Sequence, residues 1–200
     1  ILKMLESENS FTKIVDDILK DACEYLGIST GALLRENQEQ KTVDMICEYA
    51  GGGREPQMEK EQGVPKEELP FFNGKPYMIS SDSMMPEGFA RLFAQKKLTA
   101  AVFLPVEVNG HAGMYLCFCE SEKKKKWENA DVKFINDVKR IIQTILTKRI
   151  TKNSLASSYA SLEAILENVG CAIYVRDPQT GHILYANEKY QKFFKKTLEE

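Results

Sequence analysis

Two hundred residues allow one or two domains, and a hydrophobic content of 43% is enough for a real core. A formal net charge of −2 gives no pull toward nucleic acid or an anionic membrane. No run approaches the ~20 consecutive apolar residues of a membrane span, and five cysteines without repeated spacing suit a reducing, cytoplasmic setting.

The chain opens Ile1-Leu2-Lys3-Met4-Leu5, which reads as the middle of a helix and so as a piece of something longer. Phe11, Ile14, Val15, Ile18, Leu19, Ala22, Tyr25 and Leu26 then recur with one-sided helical spacing. Ser10 is the expected N-cap and Gly27 the C′ stop. Residues 28–36 and 42–50 read as two strands about a polar turn at Asn37–Lys41. Gly51-Gly52-Gly53 follows without the Gly-Lys-Ser/Thr ending of a phosphate-cradling loop, so a flexible strand exit is expected there.

Residues 51–75 are rich in Gly, Pro, Glu and Lys, with an apolar patch at Leu69, Phe71 and Phe72. So long an irregular segment in a compact domain is often functional. A short strand at 76–80 leads to the turn-like Ser81-Asp82-Ser83, where Asp82 suits capping or turn-making, with ligand contact as the other reading. One or two helical turns at Phe89–Phe93 end near Lys96 and Lys97, which complement the helix dipole.

Residues 98–120 then form two apolar runs flanking Asn109-Gly110, a pair suited to a two-residue hairpin turn. That turn pairs Val108 with His111, Val106 with Gly113, Leu104 with Tyr115 and Val102 with Cys117. One face would carry Val102, Leu104, Val106, Tyr115, Cys117 and Cys119. The other would carry Ala101, Phe103, Ala112, Met114, Leu116 and Phe118. Neither face is polar, so the hairpin should be central and covered on both sides.

Lys123–Lys126 reads as a solvated loop, and Trp127 as the hydrophobic lead into a helix with an apolar stripe from Val132 to Ile150. That stripe is broader than one cover surface requires, and part of it suits a second subunit, although Lys148, Arg149 and Lys152 interrupt any heptad. Residues 151–159 read as a helical or frayed linker. A short helix through Leu162, Ile165, Leu166 and Val169, a strand at 171–176, a turn at 177–181, a strand at 182–186 and a helix capped by Asn187 complete the chain. About 40 residues is too little to close a core without help.

Set out in order, residues 1–150 resemble a GAF domain, the small-molecule-sensing module of bacterial signalling proteins. The resemblance rests on the ordered elements, the Ile79–Asp82 step, the Val102–Val106 run followed by Gly110 and Gly113, and the Trp127–Ile135 stretch Trp-x-x-x-Asp-Val-x-Phe-Ile. Residues 160–200 resemble the N-terminal portion of a PAS domain through Ile165–Asp177 and Gly181–Asn187, with the later strands absent. The GAF resemblance implies an α+β fold, with helices packed on one face of an antiparallel sheet and a ligand pocket on the other. It implies a homodimer through helices 1–26 and 131–150, and a signal relayed along the exit helix to an output domain of the diguanylate cyclase, phosphodiesterase or sensor kinase type. Cyclic-di-GMP metabolism is the expected output.

Fold position and face parity nominate Tyr49, Phe72, Asp82, Phe89, Phe93, Leu104, Tyr115 and Cys117 as lining an unknown small-molecule ligand. No metal, cofactor, nucleic-acid or membrane partner is expected. The Asn-Lys-x-x-x-Asp-Glu pattern of cyclic-nucleotide-binding members is absent, and no Cys stands next to a His as in bilin-binding members. His111 and His182 are expected to face solvent. Cys117 and Cys119 share a strand face and read as small hydrophobes. Catalysis is not expected: the GAF-fold free methionine sulfoxide reductases carry cysteines over the pocket, and residues 51–97 contain none. The other reading is an empty dimerisation or spacer module, with Phe71, Phe72, Phe89 and Phe93 filling the pocket.

Overall fold

A computed structural model describes residues 2–52, 62–108 and 110–194, with side chains from residue 11 onward except at 111 and 112. The chain divides into two compact units, Ile1–Thr147 and Lys148–Glu200.

In the first unit, helix α1 (Leu2–Leu26) precedes strands β1 (Thr30–Asn37) and β2 (Thr42–Ala50). Ser10 lies inside α1, which begins earlier than the N-cap reading allowed. The helix ends where Gly27 takes φ +60°. Its N–H reaches the Glu24 carbonyl at 3.2 Å while the Ile28 N–H reaches Cys23 at 3.0 Å, the paired bonds of a Schellman motif. A two-residue strand β3 (Val64–Pro65) and one 3-10 turn at Lys66–Glu68 lie within the segment read as irregular. Then come β4 (Tyr77–Ile79), α2 (Phe89–Lys96), β5 (Ala100–Val108) and β6 (His111–Glu120). These make a six-stranded sheet in the order β3-β2-β1-β6-β5-β4, with every pairing antiparallel.

Two one-residue irregularities decide which side chains face which way. Between Val106 and Val108 the β5–β6 register shifts, so Val106 pairs with Met114, Leu104 with Leu116, Phe103 with Cys117 and Ala101 with Cys119. A bulge rotates every later residue to the opposite face. The expected pairing of Leu104 with Tyr115 is thereby corrected: Leu104 shares its face with Leu116 and Phe118, while Tyr115 and Cys117 share theirs with Phe103. Gly110 has the positive φ of +79° that a turn asks of it, and Asn109 lies outside the described residues. A second shift, between Leu33 and Leu34, pairs Leu33 with Cys47 but Leu34 with Met45.

One face of the sheet holds α1. A Cβ added at Gly31 would stand 2.8 Å from Cys23 Sγ and 3.4 Å from Leu19 and Phe118, so α1 and the sheet approach as closely as a bare backbone permits. Val15, Leu19, Ala22 and Cys23 are buried on that side. The other face carries Ala32, Leu34, Val43, Met45, Ala101, Phe103, Tyr115 and Cys117, which form one buried cluster with Phe71, Phe72, Ile79, Phe89, Leu92 and Phe93. The segment from Leu69 to Leu98 is thus the cover of this second face.

Helix α3 (Asn129–Asn168) is continuous through 151–159 and takes in the short helix expected near Leu162. Its first turn is capped by Asp131, whose carboxylate accepts the Glu128 N–H at 3.2 Å. Burial at Ile135, Val138, Ile142 and Leu146 follows helical spacing. Within the second unit, β7 (Tyr174–Arg176) and β8 (Ile183–Ala186) form a hairpin, followed by α4 (Glu188–Phe194). Its organising residue is Asn187, fully buried. Asn187 Oδ1 accepts the N–H of Ile173 at 2.9 Å and of Tyr190 at 3.0 Å. Its Nδ2 donates to the Leu166 and Cys171 carbonyls at 3.1 and 2.9 Å. It is therefore a helix cap and a stitch between three segments.

Candidate functional site

The covered face has two ends of different character. At one end the aromatics close upon one another. Phe71 stacks on Phe103 with ring centroids 4.0 Å apart, Phe72 lies 4.5 Å from Tyr115, and Phe89 lies 4.7 Å from Tyr77. The Tyr115 hydroxyl is not free for a ligand. It accepts the Gly74 N–H at 2.6 Å and points toward the Lys75 carbonyl at 3.4 Å, fixing the turn that follows the aromatic patch. Burial pushes the Tyr115 hydroxyl pKa up, against the lowering effect of these backbone contacts.

At the other end the cover stands off the sheet and leaves a cleft of about 640 Å³. That is within the ~300–1,000 Å³ of small-molecule sites. Its floor is Ala32 and Leu34 on β1, Val43 and Met45 on β2, and Phe103 and Cys117 on the central hairpin; its roof is Leu69, Phe71, Leu92 and Leu98. Thr30, Glu48, Lys96, Lys97, Cys119 and Ser121 also line it. Two small residues lie side by side in that floor, Ala32 directly opposite Cys117, between the larger Leu34, Met45 and Phe103.

Of the residues nominated from sequence, Cys117 lines this cleft. Phe72, Phe89, Phe93 and Tyr115 lie on the correct face but are buried in the aromatic end. Three lie elsewhere. Leu104 faces α1 because of the Val106/Val108 shift. Tyr49 pairs with Gly31, whose face meets α1. Asp82 is exposed, 3.7 Å from Lys126, at the surface turn after β4. Phe103, Ala32 and Met45 were missed. Alternation along 43–49 would group Met45 with Tyr49, and the bulge between Leu33 and Leu34 separates them.

A second set of contacts ties the cover to α3. The Ser81 N–H and hydroxyl donate to the Lys125 carbonyl at 2.9 and 3.2 Å. The Trp127 Nε1–H donates to the Ile79 carbonyl at 3.0 Å, and the Trp127 N–H to Ser80 Oγ at 3.2 Å. Lys125 itself, expected in solvent, is largely buried; it pairs with Asp131 at 3.0 Å and donates to the Leu26 carbonyl at 3.1 Å. The end of α1, the end of β4 and the start of α3 meet at this loop.

The sheet end nearest the polar rim is locked by Glu120. One of its oxygens accepts the Ser29 hydroxyl at 2.6 Å and the N–H groups of Ser121, Glu122 and Lys123 at 2.9, 2.7 and 3.2 Å. Burial raises the Glu120 pKa, and those four donors outweigh it, so the carboxyl is held below its ordinary value. Among the described residues no group of three or more His, Cys, Asp or Glu side chains is placed to hold a metal ion. His182 is exposed, and the His111 side chain lies outside the described ones. No helix of the described residues is long and apolar enough to cross a membrane.

No family model matches this sequence, and no curated protein is similar to it. Solved structures are similar in fold. A GAF domain of Synechocystis in its photoproduct state superposes with a TM-score of 0.60 at 11% identity, over 72% of this chain and 98% of that one. The blue-light-absorbing form of the PixJ GAF domain from Thermosynechococcus elongatus gives 0.61 at 13% identity, over 77% and 96%. The phycocyanobilin-bound GAF domain of a cyanobacterial phytochrome gives 0.58 at 10% identity, over 69% and 85%. The likeness is one of architecture: an α+β chain with the antiparallel sheet and helices of the GAF fold.

Proposed function

We propose that residues 1–147 are a regulatory, non-catalytic sensor domain that takes a small molecule into the cleft between the sheet and residues 69–98. The observation that carries this reading is the cleft itself, about 640 Å³ with an apolar floor and a polar rim on one side. A solved neighbour of the same fold holds phycocyanobilin, which favours ligand binding as the use of that fold here as well. The relay is through the loop at 125–127. Ligand in the cleft shifts the cover, the cover pulls on Ser80 and Ser81, and those residues are bonded to the lead-in of α3.

The test is a metabolite library screened by thermal shift. A ligand at about a hundred times its Kd adds about 2.7 kcal/mol to the folded state. Ala32→Trp, which fills the floor, should abolish the shift; a library without a hit would overturn the reading.

The finer reading rests on sequence resemblance. The domains are a GAF domain over 1–150, a linker over 151–159 and the first portion of a PAS domain over 160–200. They act in the cytoplasm as a homodimer through 1–26 and 131–150, controlling cyclic-di-GMP metabolism. Exposed Ile14 and Ile141 on those two helices favour a second copy as the cover. Analytical ultracentrifugation of Ile14→Glu and Ile141→Glu variants tests it, since a dimer should dissociate.

The buried aromatics favour a second reading, a spacer module whose pocket is filled by Phe71, Phe72, Phe89 and Phe93. The same screen separates the two.

A further inference from the structure

The strand registers lay out the floor of the cleft in rows. Leu34 stands beside Met45. Ala32 stands between Glu48 and Cys117, with Phe103 on the far side of Cys117. Thr30 stands between Ala50 and Cys119. The two central strands, β1 and β6, thus bring no charge to the floor. Among the described residues, Glu48 on β2 is the one charge that the strands place there, and the roof over them is apolar.

The polar groups of the lining are already engaged or stand in water. Glu48, Lys96 and Ser121 each have an interaction within the protein. Gln95 and Lys97 are exposed at the mouth and keep their hydration. A cleft of this size covers ~70–90% of the surface of a drug-sized ligand, so a charged group carried into it loses its water and must find a partner inside. An anion lying along Ala32 would meet the like charge of Glu48. A cation could pair with that carboxylate only by drawing Glu48 from the interaction it has.

We propose that the cleft takes an uncharged, largely hydrocarbon molecule, held by burial against Ala32, Leu34, Met45 and Cys117 and by no ion pair. The inference rests on the cleft being a ligand site and adds the chemical class. Such a ligand leaves Glu48, Lys96 and Ser121 with the interactions they have, and it gains in proportion to the apolar area taken from water.

The experiment uses the full chain and two fluorescent probes built on one skeleton: N-phenyl-1-naphthylamine, which is uncharged, and 1-anilinonaphthalene-8-sulfonate, which carries a sulfonate. Titrated at neutral pH, the uncharged probe should bind at least about tenfold tighter, because desolvating an unpaired charge costs more than that ratio requires. Its Kd should be the same in low and high salt, since no ion pair is there to be screened. At about ten times its Kd it should slow iodoacetamide alkylation of Cys119, which lines the cleft, about tenfold. Alkylation of the exposed Cys171 should be unchanged. Ala32→Trp should abolish binding of the uncharged probe.

Equal or tighter binding of the sulfonate overturns the uncharged class while leaving the cleft a ligand site. Binding of the uncharged probe that leaves Cys119 unprotected or survives Ala32→Trp places it elsewhere and overturns the proposal. No binding by either probe also overturns it, and the metabolite screen then decides separately whether the cleft takes a ligand at all.

Discussion

The two ends of the covered sheet face are built on the same strands and roofed by the same segment, yet one is closed and the other open. The closed end pairs large with large, Phe72 on Tyr115 and Phe89 on Tyr77, and the Phe71–Phe103 stack stands at its border with the cleft. The open end sets Ala32 and Cys117 under Leu69 and Leu98. Interiors pack to near-crystalline density, so a roof held up by rigid rings cannot sag onto small residues a few ångströms away. The aromatic end thus acts as a pillar, and the cleft is what the pillar keeps from collapsing.

Five substitutions test that contrast. Phe89→Ala removes a buried ring from the pillar and should cost about 3–5 kcal/mol, read from the urea midpoint. An unchanged midpoint would mean that the ring supports nothing. Glu120→Gln at the open end should cost about 2 kcal/mol at neutral pH, since hydrogen bonds to a buried charge are the strong ones. Its pH dependence has a definite sign. The folded-state pKa lies below the ordinary value of 4.5, so the stabilisation is full above about that pH and fades as pH falls through the folded value. The gap between wild type and Glu120→Gln should narrow correspondingly in acid.

Enlarging an alanine should distinguish the ends directly. Ala101→Leu, in the packed region, should cost about 1–3 kcal/mol, whereas Ala32→Leu extends into open space and should be nearly neutral. Equal costs would erase the distinction between the ends. The smallest effect belongs to Tyr115→Phe, about 1 kcal/mol from the lost bond to Gly74, with ligand binding untouched because Gly74 occupies the hydroxyl and Tyr115 is not among the residues lining the cleft. Loss of binding in that variant would put Tyr115 back in the site.

Much of this was legible beforehand. The ordered motifs from Ile79–Asp82 to Trp127–Ile135 gave the fold, and the two-sided apolar hairpin gave the centre of the sheet. What failed was parity. Alternation predicts faces only while the ladder is unbroken, and one extra residue on β6, in the Ala112-Gly113 stretch opposite Glu107, moved Tyr115 and Cys117 across from Leu104. Another near Ile46 put Tyr49 against α1 while Val43 and Met45 reached the cleft. Ile46 announces no bulge, because Ile sits equally well in a regular strand, whereas Gly113 inside the hairpin is of the type that often marks one. Asp82 failed for a different reason: it stands exposed beside Lys126 at 3.7 Å in the turn after β4, where Ser83 Oγ accepts the Ser80 N–H. The Lys125 anchor went unseen because its partners, Leu26 and Asp131, are distant in sequence on one side and near on the other.

The buried Asn187 has a consequence for amide exchange. Ala186 and Asn187 are the buried residues described in the second unit, so little apolar shielding protects its backbone. The Ile173 and Tyr190 amides nevertheless both end on Asn187 Oδ1. In deuterium they should stand out as a slow pair among fast neighbours, and because one oxygen holds both, they should open with a single shared rate.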